Sequence, residues 1–292
     1  MTLFGKELEL LEMTLDEQEV EYKIDGEEMF LTHLPDQFTL KVMTKIYPES
    51  NKALEWLYKS GDILCTQCEA QGFRRMTYYL DRPDVLTKFQ TKLTADKNTY
   101  PELLSNGNLI DSGDVEGGRH FTLWEDPFNK PAYLFALVWG QLENISDTFT
   151  TMSGREIELK IFATKHNIHK CDFAMEALKR SMKWDEERFG REYDLDLFMI
   201  VWVDDFNSGA MENKGLNIFN SAVIFATPET ATDNDYVYIE RVIGHEYFHN
   251  WSGNRVTCRD WFQLSLKEWF TVYRDSESVS YTHLTLPTTP YV

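Results

Sequence analysis

Residues 245–249 read His-Glu-Tyr-Phe-His. On a helix, positions i and i+4 share one face, so two imidazoles can meet one metal ion from the same side. Glu246 reaches the rim of that face, where a carboxylate can touch a metal-held water without ligating the metal. Zinc suits such a set: two nitrogens, a carboxylate to complete three protein ligands, and an open position for water. Glu268, on the next predicted helix, is the candidate third ligand. With 7 histidines and 48 acidic residues in 292, chance predicts about 0.03 occurrences of H-[DE]-x-x-H. The motif therefore reads as a metal site rather than as two solvated or core histidines.

One zinc ion here would lower the pKa of its water towards about 7 and polarise a carbonyl. Glu246 would take the proton as general base and pass it to the leaving amine. The chemistry is metal-assisted amide hydrolysis.

The elements that must position these groups follow from periodicity. Residues 236–251 form a helical pattern closed by Ser252-Gly253-Asn254, a turn that lets the chain reverse. Asp260 is placed to cap a third helix, with Gln263 in capping-box register. Residues 172–189 read as a helix with Ala174, Leu178 and Met182 on one stripe, Trp184 in the core and Asp185-Glu186-Glu187-Arg188 on a solvated face. Residues 156–162 and 195–203 read as strands. The first half is strand-and-turn in texture: residues 30–34 and 38–42 flank a Pro35-Asp36 turn, and residues 133–139 read as one short buried strand. The division expected is a β-rich domain over 1–141, an α+β domain over 142–279, and a tail, 280–292, of different character.

Composition bounds the function. Twenty-nine basic against 48 acidic residues give a net charge of −19, and a pI near 4.8. This argues against general nucleic-acid or anionic-membrane binding, which wants clustered Lys and Arg. Four cysteines are no disulfide scaffold. The apolar runs are too short for a membrane span, and the acidic N-terminus is not a signal peptide. A cytoplasmic protein is expected.

The His245–His249 motif with Glu268, together with Gly209-Ala210-Met211-Glu212-Asn213, resembles the gluzincin-type zinc aminopeptidases, the aminopeptidase N family. Residues 65–73, 209–220 and 243–268 carry the likeness, which extends over roughly residues 25 to 275. The resemblance implies a multidomain chain: a β-rich N-terminal domain, incomplete at its start, followed by the first part of a thermolysin-like α+β zinc-peptidase domain. It implies His245, His249 and Glu268 as zinc ligands and Glu246 as the catalytic base. It implies that Glu212 and Glu69 bind the free α-amine and that Gln67 lines the first side-chain pocket. Gly209, Ala210, Met211 and Asn213 belong to a strand edge along the substrate. The partners implied are peptides with a free N-terminus, not nucleic acid, and the expected state is a monomer.

Lys267 and Asp275 are further candidates beside the ligands, and Cys65 and Cys68 are read as structural. Trp269 stands where the family usually has Gly, and Ser208 where bacterial members commonly have Met. No residue matches the family tyrosine that stabilises the oxyanion. The chain thus reads as a fragment of a zinc aminopeptidase, or alternatively as an inactive or peptide-binding piece, with a tail of non-genuine sequence.

Overall fold

The computed structural model describes residues 1–284, without the side chains of 283 and 284. The tail reading therefore falls partly outside the described residues. Residues 280–284 continue the last helix, and 285–292 are not described.

Residues 1–140 build antiparallel sheets only. The sheet nearest the site has the order Glu102–Ser105, Leu137–Gly140, Ile63–Gln67, Trp56–Ser60. The single strand expected over 133–139 is instead a 3-10 turn, Ala132–Leu134, followed by that Leu137–Gly140 strand. Pro131 fixes the backbone before the turn, and its carbonyl accepts from the Leu134 N–H at 3.3 Å. The residues are buried as expected, in a different conformation.

The second part is a five-stranded mixed sheet in the order Glu143–Thr150, Glu156–Ala163, Leu197–Val203, Leu216–Asn220, Ala210–Met211. Its centre is parallel and both edges are antiparallel. Every residue of Leu197–Val203 is buried. Side chains alternate across a strand, so Phe198, Ile200 and Trp202 face the helices. Leu197, Met199, Val201 and Val203 share a core with Leu137 and Val138 of the first domain. Burial on both faces is why this strand reads as a continuous apolar run.

Two helices cover the outer face, and a third packs against them. Helix α1, Asp172–Phe189, matches its sequence reading and stops at Gly190, whose left-handed φ of 62° only glycine adopts freely. Helix α2, Asp233–Phe248, starts one turn earlier than its apolar pattern, because Thr232 and Asp235 form a reciprocal capping box. Gly244 lets α1 approach: a Cβ there would lie 3.1 Å from Ser181 Oγ. Helix α3, Leu264–Leu284, follows a 3-10 turn capped by Asp260, whose Oδ1 accepts from the Phe262 N–H at 3.1 Å.

The solvated face expected at 185–188 is half wrong. Asp185 and Glu186 are buried. Asp185 falls on the inward stripe of Leu178 and Met182 and pairs there with Arg274 of α3. Glu186 Oε2 accepts from the Met152 N–H at 2.9 Å. Among the described residues, no helix is long and apolar enough to cross a membrane.

Candidate metal centre

His245 sits in the last turn of α2, and His249 is its C-terminal cap in right-handed helical conformation. The i, i+4 relationship therefore persists past the formal helix end. The two Nε2 atoms lie 3.0 Å apart, with the rings edge to face. Glu268 Oε2 on α3 is 3.4 Å from each. The Ser252-Gly253-Asn254 turn brings α3 back against α2, as its residue types require.

The outer ring nitrogens are engaged elsewhere. His245 Nδ1 is 2.8 Å from Asp275 Oδ2. His249 Nδ1 is 2.9 Å from the Ser252 carbonyl and 3.3 Å from Thr271 Oγ1. In the neutral imidazoles, acceptors at Nδ1 hold the proton there and turn the Nε2 lone pairs toward one another and a carboxylate oxygen. The ligand atoms of these three residues lie within 4.8 Å of one another, close enough to share one cation. Two imidazole nitrogens and one carboxylate suit zinc in type and number.

Glu246 is buried, and its Oε2 has no hydrogen-bond partner. Burial pushes its carboxyl up to about 8, against the pull of His245. A carboxylate poised near neutrality and kept out of the ligand set is suited to proton transfer. Burial lowers the His245 imidazole, but hydrogen bonds to Asp275 and Glu268 outweigh it and raise the pKa to about 10. The same histidines hold Glu268 well below the usual carboxylate range in spite of burial.

A second constellation adjoins the first. Lys267 Nζ lies 2.5 Å from Glu212 Oε1, 2.5 Å from Glu268 Oε1 and 3.1 Å from Glu69 Oε1. Burial alone would raise Glu212, yet Lys267 and His249 more than cancel it and lower its pKa. Glu69 is pushed up to about 7, by burial and then by Glu212. The segment carrying Glu212, just past the Ala210–Met211 strand, is tied to the turn that follows α2. Asn254 Nδ2 donates to the Glu212 carbonyl at 2.9 Å. Buried Lys214 donates to Asn250 Oδ1 at 2.6 Å and to Asp194 Oδ1 at 2.5 Å.

The carboxylates and imidazoles of the two sets open onto a cleft of about 450 Å³. Glu69, Gly209, Ala210, Glu212, Glu246 and the three ligand candidates border it, with Ser208 and Tyr238 at its wall. Met211, Gln67 and Asn213 do not border it. Met211 packs into the shared core. Gln67 and Asn213 are buried, with Gln67 Oε1 and both Asn213 amide atoms lacking partners. Cys65 and Cys68 are buried free thiols, and burial pushes Cys65 up to about 12. Inert thiols fit the structural reading. A larger groove of about 520 Å³ behind α3 is bounded by Trp251, Val256 and Phe270 and holds no carboxylate or imidazole.

Sequence reasoning passed over Arg241, Asn254 and Thr271. Arg241 carried a signal, being one helical turn before His245. The other two are brought in by the chain reversal alone.

Comparison with known proteins identifies the two domains. Residues 12–134 match the Peptidase M1 N-terminal domain and residues 173–289 the Peptidase family M1 domain. Aminopeptidase N of Escherichia coli is 60% identical over 278 residues, covering 95% of this chain and 32% of that protein. Aminopeptidase N of Caulobacter vibrioides is 57% identical, covering 94% and 32%. The crystal structure of Legionella pneumophila aminopeptidase A in complex with aspartic acid superposes with a TM-score of 0.92 at 37% identity, covering 95% of this chain and 33% of that one. The chain spans about a third of the length of the relatives it matches. A β-rich domain followed by the start of a peptidase domain, matched at both ends, places this chain in the M1 peptidase family.

Proposed function

We propose that the cleft is the zinc site of an aminopeptidase that hydrolyses the N-terminal peptide bond of peptides. The observation that carries this is the convergence of His245 Nε2, His249 Nε2 and Glu268 Oε2 beside a buried, unpartnered Glu246 Oε2. Zinc held by those three residues would polarise a carbonyl and acidify a water. Glu246 then accepts the proton of the attacking water at Oε2 and returns it to the leaving amine. Glu212 and Glu69 receive the α-ammonium of the substrate by charge-assisted hydrogen bonds. That contact fixes the register, so the first peptide bond lies at the zinc ligands. The open edge of the Ala210–Met211 strand, with Gly209, offers backbone groups to an extended peptide. The names of the bacterial relatives support the same reading.

The test uses purified chain. One equivalent of zinc by metal analysis, and cleavage of amino-acid arylamides that stops in excess chelator, are expected. Full activity in chelator, or in Glu246→Gln, defeats the proposal. Stoichiometric zinc without turnover would instead favour a peptide-binding piece.

A further inference from the structure

We propose that Arg241 is a positioning residue of the metal centre, holding Asp275 so that His245 presents Nε2 to the ion. The inference rests on the zinc reading above. Arg241 and His245 are one turn apart on α2, so both reach toward α3. Arg241 Nε donates to Asp275 Oδ1 at 2.9 Å, and its Nη2 donates to Ser276 Oγ at 3.1 Å. The other oxygen of the same carboxylate, Oδ2, takes His245 Nδ1 at 2.8 Å.

Asp275 is 3% exposed at its side chain, so water offers its oxygens little alternative. Oδ2 is committed to His245, while Oδ1 takes Arg241 at 2.9 Å and the Ser276 hydroxyl, itself held by Arg241, at 3.2 Å. The guanidinium fixes the plane of the carboxylate, and the carboxylate fixes the angle of the imidazole. Without Arg241, Oδ1 keeps only the Ser276 hydroxyl, which loses its own anchor on the guanidinium, and the carboxylate is held less firmly against His245. Partners one bond beyond a metal ligand commonly change metal affinity 10- to 100-fold when removed.

The plain alternative is an ordinary helix–helix ion pair. The structure supplies a control for it. Arg180 of α1 donates through Nε to Glu240 of α2 at 2.7 Å. That pair also joins a half-exposed arginine to a buried carboxylate, with side-chain exposures of 36% and 8%. It touches no ligand.

Zinc dissociation constants are measured by competition with a chromophoric chelator for the chain and for Arg241→Ala, Arg241→Lys and Arg180→Ala. Visible spectra of the cobalt-substituted proteins and thermal unfolding are recorded alongside. Zinc binding is expected to weaken about 10- to 100-fold in Arg241→Ala, with a changed cobalt spectrum, and Arg241→Lys is expected to fall between. Arg180→Ala is expected to unfold at lower temperature with unchanged zinc affinity and spectrum. Unchanged affinity in Arg241→Ala, or equal weakening in Arg180→Ala, overturns the proposal. Should Arg241→Ala not fold, Arg241→Lys against Arg180→Ala decides in the same way. A parent chain that binds no zinc defeats the zinc reading and this one together. A zinc-binding parent with unaffected Arg241 variants defeats this one alone.

Discussion

Lys267 Nζ lies 3.1 Å from Glu69 Oε1, and so joins α3 to the loop that follows the Ile63–Gln67 strand of the first domain. The same ammonium touches Glu212 and Glu268. Removing it in Lys267→Met would leave three carboxylates facing one another in a mostly buried space. Breaking a buried pair on one side commonly costs about 3–5 kcal/mol. Urea denaturation should show a loss of about 3 kcal/mol in Lys267→Met and a smaller loss in Lys267→Arg. A change under about 1 kcal/mol, the range of exposed pairs, would show that the ammonium does not hold the carboxylates together.

Glu212 is expected to account for amine recognition. Glu212→Gln keeps the shape and removes the charge. A hydrogen bond to a charged group is worth about 1.5–3 kcal/mol, so kcat/KM on amino-acid arylamides should fall about 10- to 100-fold. N-acetylated substrates should lose little. Steady-state kinetics on the two substrate sets checks this, and equal losses would remove Glu212 from amine binding.

Gly253 packs on a ligand. A Cβ there would lie 2.7 Å from His249 Nδ1 and 3.2 Å from the His249 carbonyl. Gly253→Ala should therefore displace the imidazole and weaken zinc binding by about tenfold or more, by analogy with loss of a neighbouring hydrogen bond. Chelator competition measures it. Tight zinc binding in this variant would mean that the turn can shift without moving His249.

Lys130 sets an alkaline pH dependence of stability. It is 1% exposed, 3.0 Å from Asp126 Oδ2 and 4.1 Å from the Phe89 ring centre. Burial pulls its pKa down to about 8 from 10.5, against the opposing effect of Asp126. The folded value is depressed, so the unfolded chain binds more protons between pH 8 and 10.5. The contribution is favourable above that window and is lost as pH falls through it. Stability of the parent minus that of Lys130→Met should rise by about 3 kcal/mol from pH 8 to 10.5. A flat difference would place the ammonium in a solvated setting.

Local features were the most legible in the sequence. The spacing of His245 and His249 is a property of one helix. The stripe of Ala174, Leu178 and Met182 likewise gave α1 its bounds. Glu268 was readable because a turn-forming segment separates it from the histidines. Contacts made by folding left little trace. Asp185 looked solvated beside Glu187 and Arg188 because its partner, Arg274, is 89 positions away. Lys214, Asp194 and Asn250 meet from three separate connecting segments, so no window contains the set. The turn at 132–134 was hidden because burial and apolar character are shared by strands and buried turns alike. Gln67, Met211 and Asn213 belong to the motifs, yet their side chains stand behind the cleft rather than in it.

The strand Leu197–Val203 divides its side chains between two cores, one of which belongs jointly to both domains. The junction near residue 141 is thus a border in sequence and not a joint in mechanics. No hinge can open there without stripping the underside of the central sheet. Limited proteolysis at the junction should leave two polypeptides that stay associated and melt in a single transition. The separation of Glu69 from Glu212 is thus set across a core to which both domains contribute.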